Sequence, residues 1–220
     1  MILKCEQMWD MPLGGDGGDK EVTHWFGNLC YVIFGFLCKV LWRYKVVNRE
    51  ALRQFAGKSG VVLVGNHSSF LDVIFGFLSV RTRQWVRFMA RENLFETAKG
   101  LGGQVFSRVG AFPVARDTAD RTALKRAARM LKNKEVVGIF PEGTRVSTDG
   151  AVQAKAGAAR MAAKLRVPIV PVFISRRKVI FRKVKIVIGE PIYVPKETED
   201  FQQVTDELMD TIAKLGREVG

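Results

Sequence analysis

Short apolar runs alternate with amphipathic segments along most of the chain. Runs such as VVLVG at 61–65 have the length and the β-branched content of buried strands. The segments between the runs have the periodicity of helices with one apolar face. The pattern predicts strands at 61–65, 85–90, 111–114, 136–140, 168–174, 184–189 and 192–194.

The predicted helices follow from the spacing of apolar residues and from capping positions. Ala123, Ala127 and Leu131 recur on one side of a segment that Asp117 or Thr118 can cap, because such side chains accept hydrogen bonds from the first backbone N–H groups of a helix. Helices are predicted at 69–78, from this cap to 132, at 153–165 and at 201–215. Alternating strands and helices predict an α/β fold with a mixed or largely parallel central sheet flanked by helices.

The first 47 residues have a different pattern. Residues 1–22 carry the motif GGDGGD and little apolar periodicity, which predicts a flexible tail. The stretch 25–42, WFGNLCYVIFGFLCKVLW, has Asn28 and Lys39 as its only strongly polar residues, and its length is at the short end for a membrane-spanning helix. We expect a tail at 1–22, a membrane-associating helix at 23–47 and a single α/β domain at 48–220.

The polar residues of this apolar helix are concentrated on one side. On a helical projection Gly35 and Lys39 lie within about 20° of Asn28, Tyr31 and Trp42 lie beside them, and the other faces are apolar. Such a stripe favours a helix that sinks into one leaflet or docks its stripe on the remainder of the protein. If the helix does span the membrane, we expect the domain to face the cytoplasm. The reason is that Lys39, Arg43 and Lys45 lie on the domain side of the helix, whereas the tail on its other side is acidic.

The net charge and the motifs of the sequence restrict its partners. A net charge of +13 favours anionic partners, which include nucleic acid, anionic lipid and phosphorylated substrates. The sequence has no nucleic-acid motif with interleaved aromatic residues, so we expect no nucleic-acid partner. It also has no P-loop, no dinucleotide fingerprint and no cluster with metal-ligand spacing. We therefore expect neither a cofactor nor a metal.

One histidine has the surroundings of a functional residue. His67 lies in the motif NHSSFLD directly after the predicted strand 61–65, at a carboxyl strand end, where α/β folds bind ligands. If His67 lies in the turn and Asp72 in the first helical turn, the carboxylate can reach the imidazole. It would then hold the ring tautomer and leave the other nitrogen free to accept a proton. The alternative is that the two residues are unrelated.

A second cluster, FPEGTR, also follows a predicted strand. Gly143 permits a tight turn with exposed backbone N–H groups, Thr144 adds a hydroxyl, and Arg145 offers a fork that binds phosphate bidentately. Arg116, at the end of the motif GAFPVAR, could join Arg145 in clamping one dianion. The alternative is a surface turn in which Glu142 pairs with an arginine.

Four blocks in this order resemble those of the 1-acyl-sn-glycerol-3-phosphate acyltransferases: NHSSFLD, GAFPVAR, FPEGTR and VPIVPV. Further matches are KAG at 155–157 and GEPIYV at 189–194, so the resemblance covers about 61–194. It implies that His67 and Asp72 are the catalytic pair. The residues that it implies for binding glycerol phosphate are Arg116, Glu142, Gly143, Thr144 and Arg145.

The resemblance implies transfer of a fatty acyl group from acyl-CoA or acyl-carrier protein to the sn-2 hydroxyl of 1-acyl-sn-glycerol 3-phosphate, giving phosphatidate. The acceptor would come from membrane lipid, and the enzyme would be membrane-associated with its domain on the cytoplasmic face. In one departure from the family, Arg91 stands where a lysine is usual. Two alternatives stay open: another hydroxyl lipid acceptor, such as glycerol 3-phosphate or a lyso-aminolipid, and a non-catalytic basic membrane-surface module.

Overall fold

The computed structural model describes residues 4–11, 24–80, 85–115, 120–148 and 152–218. Its helices are α1 (Cys5–Trp9), α2 (His24–Trp42), α3 (Glu50–Arg53), α4 (Leu71–Ser79), α5 (Glu92–Glu96), α6 (Leu101–Arg108), α7 (Arg121–Lys132), α8 (Gly157–Leu165) and α9 (Phe201–Arg217), with a 3-10 turn at Thr97–Gly100. Its strands are β1 (Lys45–Val47), β2 (Val61–Gly65), β3 (Val86–Arg91), β4 (Phe112–Val114), β5 (Val136–Ile139), β6 (Ile169–Ile174) and β7 (Lys185–Ile188).

The strands form one sheet of order β1-β7-β6-β2-β5-β3-β4. The five strands from β6 to β4 run parallel to one another. β7 is antiparallel to β6, and the edge strand β1 is parallel to β7. The predicted mixed, largely parallel sheet flanked by helices is therefore confirmed.

The central strand β2 is buried along its whole length because helices cover both faces of the sheet. On one face Leu63 packs in a cluster with Phe75 of α4 and with residues of α2. On the other face Val62 packs with Ala162 of α8 and Leu208 of α9. The layers leave the carboxyl edge of the parallel strands open, and this is the edge at which the predicted site residues lie.

The structure places the cap of α7 at Asp120. Its carboxylate accepts hydrogen bonds from the N–H groups of Thr122 and Ala123 at 3.0 and 2.9 Å, and from Ala115 at 2.9 Å. The bond from Ala115 is the largest of the effects that lower the pKa of Asp120. The predicted caps, Asp117 and Thr118, lie outside the described residues.

Two predicted elements differ from the structure. The strand predicted at 192–194 is a single bridge between Ile192 and Ile169. The last three residues of the predicted membrane segment instead form β1, in which Lys45 pairs with Lys185. β1 is a three-residue edge strand, too short for its side-chain alternation to be recognised in the sequence.

The described part of the predicted tail packs on the domain. Met8 of α1 is buried. The Trp9 ring contacts that of Phe95 edge-on, and its Nε1 donates to Oγ of Ser107 at 2.6 Å. The expectation of a flexible tail is wrong for residues 4–11, because a helix of five residues is too short to give a periodic signal. Residues 12–23 lie outside the described ranges.

The predicted membrane helix is α2, and one narrow face of it packs on α4. This docked face runs through Tyr31, Gly35 and Cys38. Asn28 and Lys39 remain exposed. The docked face shares Gly35 with the predicted polar stripe, but its centre is turned by about 60° from Asn28, because small and aromatic side chains fit the surface of α4.

The remaining surface of α2 is apolar and exposed. The segment Trp25–Trp42 has a mean hydropathy of 1.5 with 17% of it buried, so by length and composition it could cross a membrane. Its exposed apolar side chains, which we call the α2 apolar face, are Trp25, Leu29, Val32, Ile33, Phe34, Phe36, Leu37 and Val40.

Candidate active site

The turn between β2 and α4 is attached to the neighbouring strand by Asn66. This buried amide donates to the carbonyl of Ile174 at 2.9 Å and accepts from its N–H at 2.8 Å. Asn66 thereby satisfies both backbone groups of Ile174 where β6 ends. His67 is the next residue, so this link to β6 fixes its position at the carboxyl edge of the sheet.

The structure brings His67 and Asp72 together. Asp72 lies in the first turn of α4, is fully buried, and places Oδ2 3.3 Å from Nδ1 of His67. The same oxygen accepts hydrogen bonds from the N–H groups of Ser68 and Ser69, each at 2.6 Å. The carboxylate is therefore held in one orientation. With Nδ1 facing Asp72, Nε2 of the imidazole is left to accept a proton.

The His67 ring is also held by an aromatic stack. It lies parallel to Phe140 with ring centroids 4.4 Å apart, and Phe140 stacks on Phe88 at 5.5 Å. Gly138 makes room for this stack, because a Cβ there would lie 2.3 Å from the Phe88 ring. The imidazole side chain keeps 16% of its surface exposed, so the ring is fixed but accessible.

Lys178 is a buried partner of Asp72 that the sequence analysis missed. Its Nζ lies 2.5 Å from Oδ1 of Asp72, and its side chain is 3% exposed. The ammonium also donates to Oγ of Ser68 at 2.9 Å and to the carbonyl of Ser175 at 2.7 Å. In the sequence Lys178 belongs to a basic run typical of a solvated surface, and no local signal marks it as buried.

The charges of this cluster favour an ionised Asp72. Burial acts to raise the pKa of Asp72, but the hydrogen bond with His67 and the charge of Lys178 outweigh it, so that the pKa lies below its ordinary value. Burial lowers the pKa of Lys178, and the Asp72 carboxylate acts in the opposite direction. A permanent negative charge beside Nδ1 stabilises the imidazolium that forms when Nε2 takes a proton.

Glu142 has contacts different from those that the family resemblance implies. Its carboxylate is buried and accepts a hydrogen bond from the N–H of His67 at 2.7 Å, and Nη2 of Arg176 lies 4.0 Å from its other oxygen. The N–H of Val146 donates to the carbonyl of His67 at 2.8 Å. The FPEGTR turn therefore braces the His67 backbone. A buried carboxylate repels phosphate, so these contacts do not favour Glu142 as a phosphate ligand.

Gly143 and Arg145 of this turn border an open cavity. Gly143 has a φ of +63°, a conformation that glycine adopts without strain. Thr144 is half-buried and Arg145 is exposed, with its guanidinium carbon 4.1 Å from the centroid of the Phe70 ring. Arg116 lies outside the described residues.

The cavity has a volume of about 480 Å³ and is bordered by His67. Its cationic residues are Arg91, Arg145 and Lys155. Lys155 belongs to the KAG motif, to which the sequence analysis gave no role. The first residues of α8 also border the cavity, and the amino end of a helix attracts anions. Apolar side chains complete the wall: Phe70, Val73, Met89, Leu94, Val114, Leu124, Ile139, Phe140 and Met161.

The geometry combines an oriented base, cations and an apolar wall in one cavity. Residues 43–175 match the model of the family described as Acyltransferase. The chain belongs to the acyltransferase family. The match begins before β1 and ends after β6, so it includes the His67 turn and the FPEGTR turn of this acyltransferase. The predicted enzyme class is confirmed.

Curated relatives of the acyltransferase carry a common name. The 1-acyl-sn-glycerol-3-phosphate acyltransferase of Bacillus subtilis is 36% identical over 154 residues, which are 68% of this chain and 73% of that protein. The protein of the same name from Streptococcus pneumoniae is 29% identical over 69% of this chain and 56% of its own. The human 1-acyl-sn-glycerol-3-phosphate acyltransferase beta is 35% identical over 52% of this chain and 41% of its own.

A solved structure has the same fold. The 1-acyl-sn-glycerophosphate acyltransferase PlsC of Thermotoga maritima matches the acyltransferase with a TM-score of 0.64 at 22% identity, over 89% of this chain and 78% of that one. Within the described ranges of the acyltransferase, no group of three or more His, Cys, Asp or Glu side chains is placed to hold a metal ion.

Proposed function

We propose that this acyltransferase moves a fatty acyl group from acyl-CoA or acyl-carrier protein to the sn-2 hydroxyl of 1-acyl-sn-glycerol 3-phosphate, giving phosphatidate. The observation that carries the proposal is the His67–Asp72 pair at the border of a cavity that combines cationic and apolar walls. The activity is the one named for the curated relatives.

His67 acts as the general base. Its Nε2 takes the proton of the acceptor hydroxyl while the hydroxyl oxygen attacks the thioester carbonyl. The tetrahedral intermediate then expels the thiolate, which receives the proton back from the imidazolium, so that one ester forms and one thioester breaks. Proton transfer of this kind contributes ~10²–10⁴-fold to the rate. Asp72 holds the ring tautomer and stabilises the imidazolium, while Lys178 and Glu142 position the pair.

The cationic side chains bind the phosphate of the acceptor. Arg145 offers two parallel N–H donors, and Lys155 adds a point charge on the same cavity. Gly143 and Thr144 contribute the turn that presents Arg145. Arg116 retains its proposed place as a phosphate ligand, because its neighbour Ala115 borders the cavity.

The apolar wall binds acyl chains. Met89, Leu94, Val114 and Met161 come from four different elements and border the same cavity as His67. Burial of a chain against such a surface contributes about 0.8 kcal/mol per methylene, which suits a substrate with a long hydrocarbon tail.

We also propose that α2 attaches the enzyme to the cytoplasmic face of a membrane, where acyl thioesters are made. The α2 apolar face is exposed while the opposite face packs on α4, so α2 cannot be surrounded by lipid on all sides. A helix of this kind lies in one leaflet. High salt alone should not release the full chain from membranes, whereas detergent should. Complete release by high salt would contradict the attachment.

The reaction is tested by mass spectrometry of the lipids that the purified protein makes from lysophosphatidate and mixed acyl thioesters. We expect phosphatidate with the new acyl group at the sn-2 position, and ~10²–10⁴-fold slower product formation by His67→Ala. Glycerol 3-phosphate and a lyso-aminolipid serve as parallel acceptors, and faster acylation of either would replace the proposed acceptor. A folded, vesicle-binding protein that acylates none of them would favour the non-catalytic membrane-surface module.

A further inference from the structure

The segment between β6 and β7 presents adjacent exposed apolar side chains. Val179, Ile180 and Phe181 are 48%, 52% and 69% exposed. A single exposed apolar residue is common on soluble proteins, but a contiguous apolar patch marks a surface with a partner. We call these three residues the apolar tip.

The apolar tip is bonded to the carboxyl end of α2. Nε1 of Trp42 donates to the carbonyl of Lys178 at 3.0 Å, and the N–H of Phe181 donates to the carbonyl of Leu41 at 2.5 Å. The N–H of Val184 donates to the carbonyl of Trp42 at 3.0 Å. The bonds to Leu41 and Trp42 satisfy carbonyl groups that the end of a helix leaves unpaired. They also place the tip next to the α2 apolar face.

The backbone of Phe181 indicates that its ring serves a purpose outside the folded chain. Its φ is +65°, in the left-handed region, which is unfavourable for a bulky residue and easily adopted by glycine or asparagine. The ring is 69% exposed, so it gains little from packing within the protein. A turn selected for stability alone would not carry phenylalanine at this position.

Cations surround the apolar tip. The sequence from 175 to 185, SRRKVIFRKVK, contains no acidic residue. Arg177, Arg182 and Lys183 are exposed, as is Arg43 at the end of α2, whose Nη2 donates to the carbonyl of Phe181 at 3.3 Å. An apolar tip within a ring of cations complements the interface of a membrane with anionic headgroups, where apolar side chains enter the acyl region and cations meet phosphate.

We propose that the apolar tip inserts into the leaflet that holds the α2 apolar face, and forms a second membrane contact. The proposal rests on the attachment through α2 proposed above and adds a separate element to it. Two contacts fix how the domain is rotated on the membrane, which a single helix does not. The tip follows the carboxyl end of β6, the edge of the sheet at which His67 lies. The second contact therefore turns the active-site edge toward the lipid that contains the acceptor.

Insertion can be measured with a fluorophore on the tip. Ile180→Cys is labelled with an environment-sensitive dye in a full-length chain whose Cys5, Cys30 and Cys38 are replaced by alanine. The matched control is Tyr193→Cys, because Tyr193 is 65% exposed and follows Ile192, which pairs with the first residue of β6 at the opposite edge of the sheet. The vesicles contain phosphatidylcholine and phosphatidylglycerol.

On vesicles, the label at 180 should be quenched by a quencher on the lipid acyl chain and protected from aqueous iodide, with the reverse at 193. Equal iodide quenching at both positions, while sedimentation shows the protein bound to vesicles, would overturn the second contact. That result would leave the attachment through α2 and the acyl transfer untouched, since each has its own assay.

A second pair of variants separates a membrane role from a structural one. Phe181→Asn should lower the vesicle partition coefficient about tenfold, equivalent to about 1.4 kcal/mol, compared with no change for Tyr193→Asn. The melting temperature of Phe181→Asn should be unchanged or higher, because asparagine tolerates the left-handed conformation. A lower melting temperature with unchanged partition would show that Phe181 stabilises the fold and would contradict the proposal.

Discussion

Asp72 and Lys178 form a buried ion pair at the carboxyl edge of the sheet, and Arg87 and Glu135 form another at the amino edge of β3 and β5. The side chains of the first pair are 0% and 3% exposed, and those of the second are 0% and 6% exposed. In the second pair Nε of Arg87 lies 2.6 Å from the Glu135 carboxylate. The two pairs are alike in burial and charge.

They differ in what else they contact. Arg87 also donates to the carbonyl of Met11, so the segment after α1 covers that pair. Asp72 instead contacts His67, whose ring borders the cavity. A buried pair whose partners are all structural holds chain segments together. A buried pair that supports one accessible titratable ring tunes the chemistry of that ring. The neighbours of a buried charge, rather than its burial, thus indicate its function.

The largest expected effect comes from removing the ring that the Asp72–Lys178 pair supports. His67→Ala should lower kcat by ~10²–10⁴-fold, because the general base is lost. Its melting curve should remain close to that of the unmodified protein, since the carboxylate of Asp72 keeps its ion pair with Lys178. Turnover is measured as lipid product per folded molecule. Nearly normal turnover with a native melting curve would show that another group is the base.

Glu135→Gln tests the structural role of the Arg87–Glu135 pair. It keeps the size of the side chain and leaves the Arg87 charge buried without its counterion. The free energy of unfolding should fall by about 3–5 kcal/mol, while kcat of the folded enzyme is unchanged. Glu199→Gln, at an exposed glutamate, is the control for loss of one negative charge. If both variants had the same stability, the Arg87 pair would not hold the amino edge together.

Lys178→Met tests whether the pair at the carboxyl edge acts through Asp72. Because folding lowers the pKa of Asp72, its contribution to stability is present above its ordinary value of 3.8 and is lost as the pH falls through the folded value. Without Lys178 the Asp72 pKa is lowered less, so stability should fall less steeply between about pH 5 and pH 3.

The same variant should lower kcat, because the carboxylate that orients His67 loses a partner. Urea unfolding at each pH and steady-state turnover are the measurements. Lys164→Met, at an exposed lysine of α8, is the control. An acid profile identical to that of the control would show that Lys178 does not set the ionisation of Asp72.

The smallest expected effect tests whether Arg145 binds the phosphate of the acceptor. Arg145→Lys keeps the charge and loses the bidentate fork, so KM for lysophosphatidate should rise about tenfold, as for one charge-assisted hydrogen bond of ~1.5 kcal/mol. KM for the acyl donor should not change. Arg160→Lys is the matched control, because Arg160 also lies over an aromatic ring, that of Phe201, and is not among the cavity-lining residues. Equal effects on both substrates would indicate a structural role for Arg145.

Local sequence determined the features whose residues are close in the chain. The strand-turn-helix at 61–79 was predictable because β2 is a continuous apolar run and Asp72 is five residues from His67, a spacing that one turn can close. The alternation of elements predicted the α/β class for the same reason, since each strand and helix carries its own period. The apolar character of the helix α2 was also recognisable from its composition alone.

Tertiary structure alone decided the features that depend on distant residues. Lys178 meets Asp72 across 106 positions of sequence, and its basic neighbours gave no sign that it is buried. Glu142 turned away from the cavity to brace the His67 backbone, which follows from the adjacency of β2 and β5. The docked side of α2 was decided by the shape of α4. Periodicity reports which side chains avoid water, but the order of strands determines which buried groups meet, and that order is set by packing of the whole chain.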